Sequence, residues 1–322
     1  MITFLLLPFF LLSQISVDID SFLYGPEYTY RIEINTTNND GLGGEMTKAF
    51  DAVNTLKCRP KVPDTLNCRF EEANIRMYKG GLFELVRLYV EDLGTNDEPF
   101  EIKFDKNGIS HLVVTKDMEP WTIDMIRLIV NQLNIGIDIR NKPDGKFAAI
   151  EKSYFGECET MVVLDHHRLP EDRWKDDKFE IIPMNNGIRK LTGEVVSIEK
   201  IRYFDNSEEK KVYFFGSLSA YSTLPAEVTT TIKSSQSNII ISDSNFTSYT
   251  INEIIISNKD KSRNFTLNDK IKLSLEVVST PKSELPMVPD ATWVSFMIQD
   301  DWYKDEERYF RMKNLFQKIF SF

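Results

Sequence analysis

The clearest hydrophobic pattern in the chain lies at residues 120–135 and predicts a buried helix. Its polar residues, Asp124, Arg127, Asn131 and Asn134, are spaced three, four and three apart, so on a helix they form one narrow stripe. Nearly all other positions are apolar, and a helix that is apolar on most of its circumference lies inside a protein. At 1.5 Å per residue such a helix is roughly 24 Å long. Its predicted core positions are Trp121, Ile126, Ile129, Val130 and Leu133.

Most of the remaining chain alternates between apolar and polar residues, which is typical of β-strands. Alternation begins at Tyr28 and recurs on both sides of Asn107-Gly108, a pair that favours a tight hairpin turn. Residues 148–164 indicate one strand with an irregularity at Gly156. Further predicted strands, separated by Ser, Asn and Asp clusters, are 212–215, 227–233, 237–242, 248–256 and 270–278. Many strands and one buried helix predict a mainly β (β+α) fold, an antiparallel β-barrel wrapped around a central buried helix.

The last residues follow a different pattern. Segment 299–322 begins acidic and ends basic, which matches the helix dipole. Its apolar residues Trp302, Tyr309, Met312, Phe316 and Ile319 share one helical face. The pattern predicts a C-terminal amphipathic helix that docks on the barrel.

Composition narrows the range of partners. The chain has 322 residues, of which 42% are hydrophobic, so it can bury a substantial core. Its net charge of −10 argues against nucleic acid and against an anionic membrane surface, since both require a basic field. Beyond the N-terminus, no apolar run is long enough to cross a bilayer, so we expect a protein that does not span a membrane.

The N-terminus indicates secretion. Residues 1–12 form an apolar run too short to span a bilayer, followed by small and polar residues, which predicts a signal peptide over 1–16 and a β-barrel domain over 17–298. Three Asn-x-Thr sequons, at Asn35, Asn245 and Asn264, favour the same extracellular compartment and predict glycosylation.

Cysteine usage fits an oxidising compartment. Cys58 and Cys68 flank a turn-rich stretch that can close a small disulfide loop. The third cysteine, Cys158, would then be free and buried or would pair between chains, and the sequence leaves both open.

No enzymatic constellation is found in the sequence. It contains no G-x-S-x-G, H-E-x-x-H or C-x-x-C motif. His166 and His167, near Glu157 and Glu159, are a conceivable zinc pair, but a solvated loop is the favoured interpretation. We therefore expect no catalytic residues, no metal and no cofactor.

The chain carries an ordered set of motifs, which are Tyr28–Glu33, Leu66–Phe70, Pro99–Phe104, Asn107-Gly108-Ile109, Glu119-Pro120-Trp121, Asp124–Leu133 and Gly156–Thr160. This set resembles the N-terminal sheet domain of the vitellogenins, within the large lipid transfer protein family. The resemblance covers essentially the whole chain after the signal peptide. The sequence departs from the family pattern after Cys158, because no later cysteine follows.

The resemblance implies an antiparallel barrel that encloses a helix, and a family role in lipid transport. It also implies receptor engagement through surface loops of this module. The chain stops where the family's helical and lipid-cavity domains begin, which is the pattern of short insect vitellogenin-like proteins.

Three functional hypotheses follow. The first is a secreted, non-enzymatic, vitellogenin-like module that acts through recognition of a protein, such as a cell-surface receptor, without a bulk lipid cavity. The second is a carrier of one or a few small apolar ligands, held between barrel and tail helix. The third is a structural or dimerising secreted protein that uses the exposed face of 302–320 or Cys158.

Overall fold

The computed structural model describes most of the chain outside its two ends. The described residues are 12–13, 26–39, 47–61, 64–81, 84–89, 98–105, 107–139, 142–168, 181–182, 194–204, 228–242, 245–258 and 264–297. The predicted tail helix over 299–322, the predicted strand over 212–215 and most of the predicted signal peptide lie outside these ranges. All of them stay predictions.

The described chain is built almost entirely from strands. They are β1 (Leu12–Ser13), β2 (Glu27–Asn39), β3 (Thr47–Lys61), β4 (Thr65–Gly81), β5 (Glu84–Tyr89), β6 (Phe100–Asp105), β7 (Gly108–Thr115), β8 (Gly145–Ser153), β9 (Gly156–Arg168), β10 (Ile181–Ile182), β11 (Glu194–Tyr203), β12 (Val228–Ile241), β13 (Phe246–Asn258), β14 (Asn264–Ser279) and β15 (Ala291–Ser295). One α-helix, α1 (Pro120–Val130), and a 3-10 turn over Asn131–Leu133 interrupt them between β7 and β8.

Thirteen of the described strands form one antiparallel sheet. Their order is β15-β7-β6-β4-β3-β2-β14-β13-β12-β11-β9-β8, and β5 pairs with β4 off this path. A separate two-residue ladder pairs β1 with β10. Strand β1 lies within the predicted signal peptide, whereas β10 does not. Asp105 at the end of β6 pairs with Gly108 at the start of β7, so the hairpin that the Asn-Gly pair predicted is confirmed.

The predicted closed barrel is wrong, because the sheet is open. Among the described strands, β8 pairs only with β9 and β15 pairs only with β7, and no ladder joins these two edges. The alternating pattern specifies which face of each strand is buried. Closure instead requires hydrogen bonds between the first and last strands in space, and the pattern does not encode those.

Two strand boundaries also differ from the prediction. The single strand expected over 148–164 is a hairpin, in which Tyr154 and Phe155 form the turn between β8 and β9, and Gly156 has a φ of 109°. The two strands expected over 227–242 are one strand, β12, with a register shift at Ile232/Ser234. Both errors arose because an irregularity inside a strand and a turn between strands look alike in sequence.

The helix is shorter than predicted but buried all round. It ends at Val130, the 3-10 turn follows, and Asn134 is already extended with a φ of −96°. Every residue from 122 to 137 is buried. Its apolar side chains belong to one core cluster with inward residues of β2, β3, β4, β6, β7, β9, β11, β12, β13 and β14. No helix in the described part of the chain has the length and apolar content needed to cross a membrane.

Candidate functional site

The polar stripe of the helix is buried, and two of its residues, Asp124 and Arg127, form an ion pair. Asp124, Arg127, Asn131 and Asn134 are 6%, 2%, 3% and 0% exposed. The Arg127 guanidinium lies 2.6 Å from the Asp124 carboxylate and donates two further hydrogen bonds, of 2.9 and 2.7 Å, to the Ser295 carbonyl. The stripe therefore faces the protein rather than solvent, and Arg127 ties α1 to the end of β15.

Asn134 joins three segments just after the helix. Its Oδ1 accepts a hydrogen bond from the Ile109 amide at 2.9 Å, and its Nδ2 donates to the Lys152 carbonyl at 2.7 Å. The backbone approaches so closely here that a Cβ added at Gly108 would lie 2.2 Å from Asn134 Oδ1. Gly136, with a φ of 74°, is equally enclosed, because an added Cβ would lie 2.5 Å from the Lys152 carbonyl oxygen. Glycine is required at both positions by the close packing and by the positive φ.

A buried ion triad holds the chain beyond the helix. The Glu151 carboxylate accepts two hydrogen bonds from Arg202, of 2.7 and 2.9 Å, and one from Lys200, of 2.7 Å. Lys200 Nζ also donates to the carbonyls of Asn134 and Ile135, at 2.9 and 3.1 Å. None of the three ionised side chains exceeds 3% exposure. The triad thus links β8 and β11 to the segment that follows α1.

Burial and pairing shift the pKa values of the triad. Burial alone would raise the pKa of Glu151, but the charges of Arg202 and Lys200 outweigh it and hold the pKa below its ordinary value. Burial lowers the pKa of Lys200 to about 8, against the opposing influence of Glu151. The carboxylate is therefore ionised at neutral pH and Lys200 remains mostly protonated.

Arg202 of the triad belongs to a row of buried polar residues that crosses several strands of the sheet. Strand register places Thr36, Asp269, Asn252, Ser235, Arg202 and Thr160 opposite one another on β2, β14, β13, β12, β11 and β9. All six are at most 3% exposed. We call this set the polar row.

A second, shorter row lies two residues along the same strands. It contains Lys200, Ser237 and Thr250. Ser237 and Thr250 are hydrogen-bonded at 2.8 Å, and Arg202 donates to Ser237 at 2.8 Å. Thr250 in turn donates to Gln132 Oε1 at 2.9 Å, so the second row connects the polar row to the 3-10 turn.

These contacts suit a structural role better than proton transfer. Arg202 donates to Glu151, Ser235 and Ser237, and Lys200 donates to one carboxylate and two carbonyls. Burial, followed by the charge of Glu151, raises the pKa of the Cys158 thiol, which disfavours the nucleophilic thiolate. The arrangement fixes α1 and the 3-10 turn to the sheet.

The residues predicted as core positions lie within the helix and the 3-10 turn. Ile126, Ile129, Val130 and Leu133 are at most 2% exposed, whereas the side chain of Trp121 lies outside the described residues. The predicted disulfide partners lie opposite each other on β3 and β4, and the bond between Cys58 and Cys68 is formed.

The sequon asparagines and the histidines are not members of the polar row. Asn245 is exposed in the turn before β13, Asn35 is half-buried on β2, and Asn264 begins β14. His166 bonds to Asp144 and His167 to Asp165, so the two rings have separate partners. In the part of the chain that the structure describes, no group of three or more His, Cys, Asp or Glu side chains could hold a metal ion.

Sequence reasoning missed Glu151, Lys200 and Arg202, although a signal was present. On β11 the buried residues Val196 and Ile198 alternate with more exposed ones. Continuing that alternation places Lys200 and Arg202 on the same buried face. Two cations at core positions of a strand predict a buried anion.

Comparisons with known proteins agree with this architecture. The sequence profile of the vitellogenin N-terminal domain matches residues 25–280. Vitellogenin-1 of Solenopsis invicta is 25% identical over 289 residues, which is 80% of this chain and 17% of that protein. Vitellogenin of Anthonomus grandis is 23% identical over 144 residues, which is 39% of this chain and 8% of that protein.

A solved structure shares the fold. It comes from a study of lipid–protein interactions in lipovitellin, and it superposes with a TM-score of 0.56 over 86% of this chain and 28% of that one, at 13% identity. This chain therefore spans only a small part of the length of these relatives. Because the profile match covers most of its length, the chain belongs to the vitellogenin N-terminal domain family.

Proposed function

We propose that this chain is a secreted, non-enzymatic module of the vitellogenin family that acts by recognising a protein, such as a cell-surface receptor, and holds no bulk lipid. The observation that carries the proposal is the set of buried, paired charges between the sheet and the segment that follows α1. The face of the sheet that packs on α1 carries Glu151, Lys200, Arg202 and Asp269, all at most 3% exposed. A surface that stores hydrocarbon is apolar, since each buried charge must be paired by protein groups. We therefore place any associated lipid outside the space between α1 and the sheet.

Recognition of a partner protein requires an exposed surface, and the sheet has exposed apolar side chains near its β8 edge. On the outward face, Ile150 and Tyr203 both lie opposite Glu159, from the two neighbouring strands, and Ile201 lies two residues from Tyr203. Ile150, Ile201 and Tyr203 are 62%, 38% and 54% exposed. We call these three residues the edge patch. Protein interfaces are enriched in aromatic side chains at their centres, which makes the edge patch the preferred contact surface.

The proposal is tested by cell-surface binding of the purified, fluorescently labelled protein. We expect saturable binding that unlabelled protein displaces and that protease treatment of the cells abolishes. The double variant Ile150→Asp, Tyr203→Asp is expected to weaken binding at least about tenfold. The matched control is Val277→Asp, because Val277 is also an exposed apolar residue, at 49%, but lies on β14. Binding that is unsaturable or that survives protease treatment would contradict receptor recognition.

The same preparation separates the other two hypotheses. A single small mass that accompanies the protein in native mass spectrometry and disappears on denaturation would indicate a carrier of one apolar ligand. A dimer on size exclusion that is lost when 299–322 is deleted would indicate an assembly role.

Secretion and glycosylation belong to the same proposal. Asn245 is exposed at a turn, where a glycan is accommodated without disturbing a ladder. Expression in a eukaryotic secretory host should give protein in the medium whose mass falls on glycosidase treatment. The variant Asn245→Gln should lose part of that mass difference.

A further inference from the structure

Among the described residues, five buried polar atoms of the 3-10 turn, the turn between β8 and β9, and strand β13 have no hydrogen-bond partner among the protein atoms. They are Asn131 Oδ1, Gln132 Nε2, Tyr154 Oη, Asn252 Nδ2 and Asn252 Oδ1. The four residues are at most 3% exposed. A polar atom that is removed from water without a replacement bond is costly, so such atoms are normally satisfied by protein or by internal water.

Strand register brings Asn252 into the middle of the polar row. It lies directly opposite Asp269 on β14 and Ser235 on β12. Thr250, two residues away on the same face of β13, donates a hydrogen bond to Gln132 Oε1 at 2.9 Å. The unpartnered Gln132 Nε2 belongs to the same side-chain amide. Asn131 precedes Gln132 in the 3-10 turn. Unpartnered donors and acceptors therefore lie on both sides of the contact between the turn and β13.

Tyr154 approaches the same region from the turn between β8 and β9. Its side chain is 1% exposed and belongs to the core cluster. Burial raises the pKa of Tyr154, and the negative charge of Asp269 raises it further. Its hydroxyl can both donate and accept a hydrogen bond.

The chemistry of these atoms selects the ligand. They comprise two amide donors, two amide acceptors and one hydroxyl, so the ligand must donate and accept. The carboxylates of Glu151 and Asp269 balance the cations of Lys200 and Arg202, so the ligand must be neutral. An internal water molecule makes two to four hydrogen bonds, so five unpartnered atoms require more than one water. We propose that the contact between the 3-10 turn and the polar row binds a sealed cluster of at least two internal water molecules.

A crystal structure at about 1.8 Å resolution or better tests this proposal. We expect ordered water peaks within about 3.2 Å of at least three of the five atoms. In Asn252→Leu the peak bound by that amide should be lost. The matched control is Asn238→Leu on β12, because Asn238 lies on the opposite, outer face and should leave the cluster unchanged.

A solution measurement keeps the test independent of crystals. Oxygen-17 relaxation dispersion counts waters with long residence times, and the count should fall in Asn252→Leu and stay constant in Asn238→Leu. Tyr154→Phe provides a second variant, which removes one hydroxyl and little volume, if Asn252→Leu does not fold. Unpartnered atoms that contact only protein in the crystal, or peaks at metal-ligand distances of about 2.0–2.4 Å, would overturn the proposal.

Discussion

Removing the central carboxylate of the ion triad should strongly destabilise the protein. In Glu151→Gln the side chain keeps its size but loses its charge, and its new amide hydrogens face the donors of Arg202 and Lys200. Glu151 accepts four hydrogen bonds in the native protein, three of them from cations. Breaking a buried ion pair by removing one partner costs about 3–5 kcal/mol, because the remaining charge is left uncompensated. We expect a loss of this size in the free energy of unfolding.

Urea denaturation followed by tryptophan fluorescence measures this loss. With a denaturant slope of about 3 kcal/mol per molar, the midpoint should fall by roughly 1–1.7 M. The matched control is Glu253→Gln, which removes a carboxylate 2.7 Å from Lys233 on the surface, where the lysine side chain is 57% exposed. Exposed pairs contribute about 1 kcal/mol or less. A loss for Glu151→Gln no larger than that of the control would refute the assignment of the triad as the anchor of α1.

The same variant carries a pH signature. Because the folded-state pKa of Glu151 lies below its ordinary value of 4.5, its contribution is present above that pH and is lost as the pH falls through the folded-state value. The difference in stability between the native protein and Glu151→Gln should therefore be smaller below pH 4.5 than at about pH 5–6. A difference that widens on acidification would contradict the ionised state assigned to Glu151.

Three further predictions concern the surroundings of the triad. Arg127→Leu removes the hydrogen bonds that Arg127 donates to the buried Asp124 carboxylate and to the Ser295 carbonyl, so urea denaturation should show a loss of about 3 kcal/mol in the free energy of unfolding. An unchanged midpoint would place Arg127 on a wet face. Gly108 and Gly145 have similar φ values, of 131° and 127°. Of these two positions, a Cβ added by substitution with alanine meets neighbouring atoms within 4 Å at Gly108 but not at Gly145. Gly108→Ala should therefore lower the melting temperature clearly more than Gly145→Ala, and equal effects would argue against close packing. Since the pKa of Lys200 falls from 10.5 to about 8 on folding, the unfolded chain binds an extra proton between these values, and stability should rise with pH there. Denaturation at pH 7.5 and 9.5 should show this rise relative to Lys200→Met, and parallel pH profiles would count against it.

The sequence identified the helix and its buried surroundings because both depend on local pattern. The narrow polar stripe and apolar remainder of 120–135 required burial, and the structure buries every residue from 122 to 137. The Asn-Gly pair at 107–108 specified its hairpin for the same reason, since a tight turn depends on two adjacent residues.

Closure of the sheet and the ion triad could not be predicted in this way. An open sheet and a closed barrel have the same alternation along each strand, and they differ only in whether β8 and β15 are paired. Glu151 and Arg202 lie 51 residues apart, so only the three-dimensional register brings them together. Lys200 and Arg202 follow Val196 and Ile198 at every second position of β11 and so continue its buried face. This alternation is the local feature of the sequence that indicates the ion triad.

The central claim is that this module of the vitellogenin family recognises a protein and stores no bulk lipid. Lipid content of the purified, secreted glycoprotein tests it most directly, as moles of extracted phospholipid and neutral lipid per mole of chain, with native mass spectrometry of the intact protein. We expect a mass accounted for by polypeptide and glycans, with less than about one lipid per chain. Tens of lipid molecules per chain would contradict the claim.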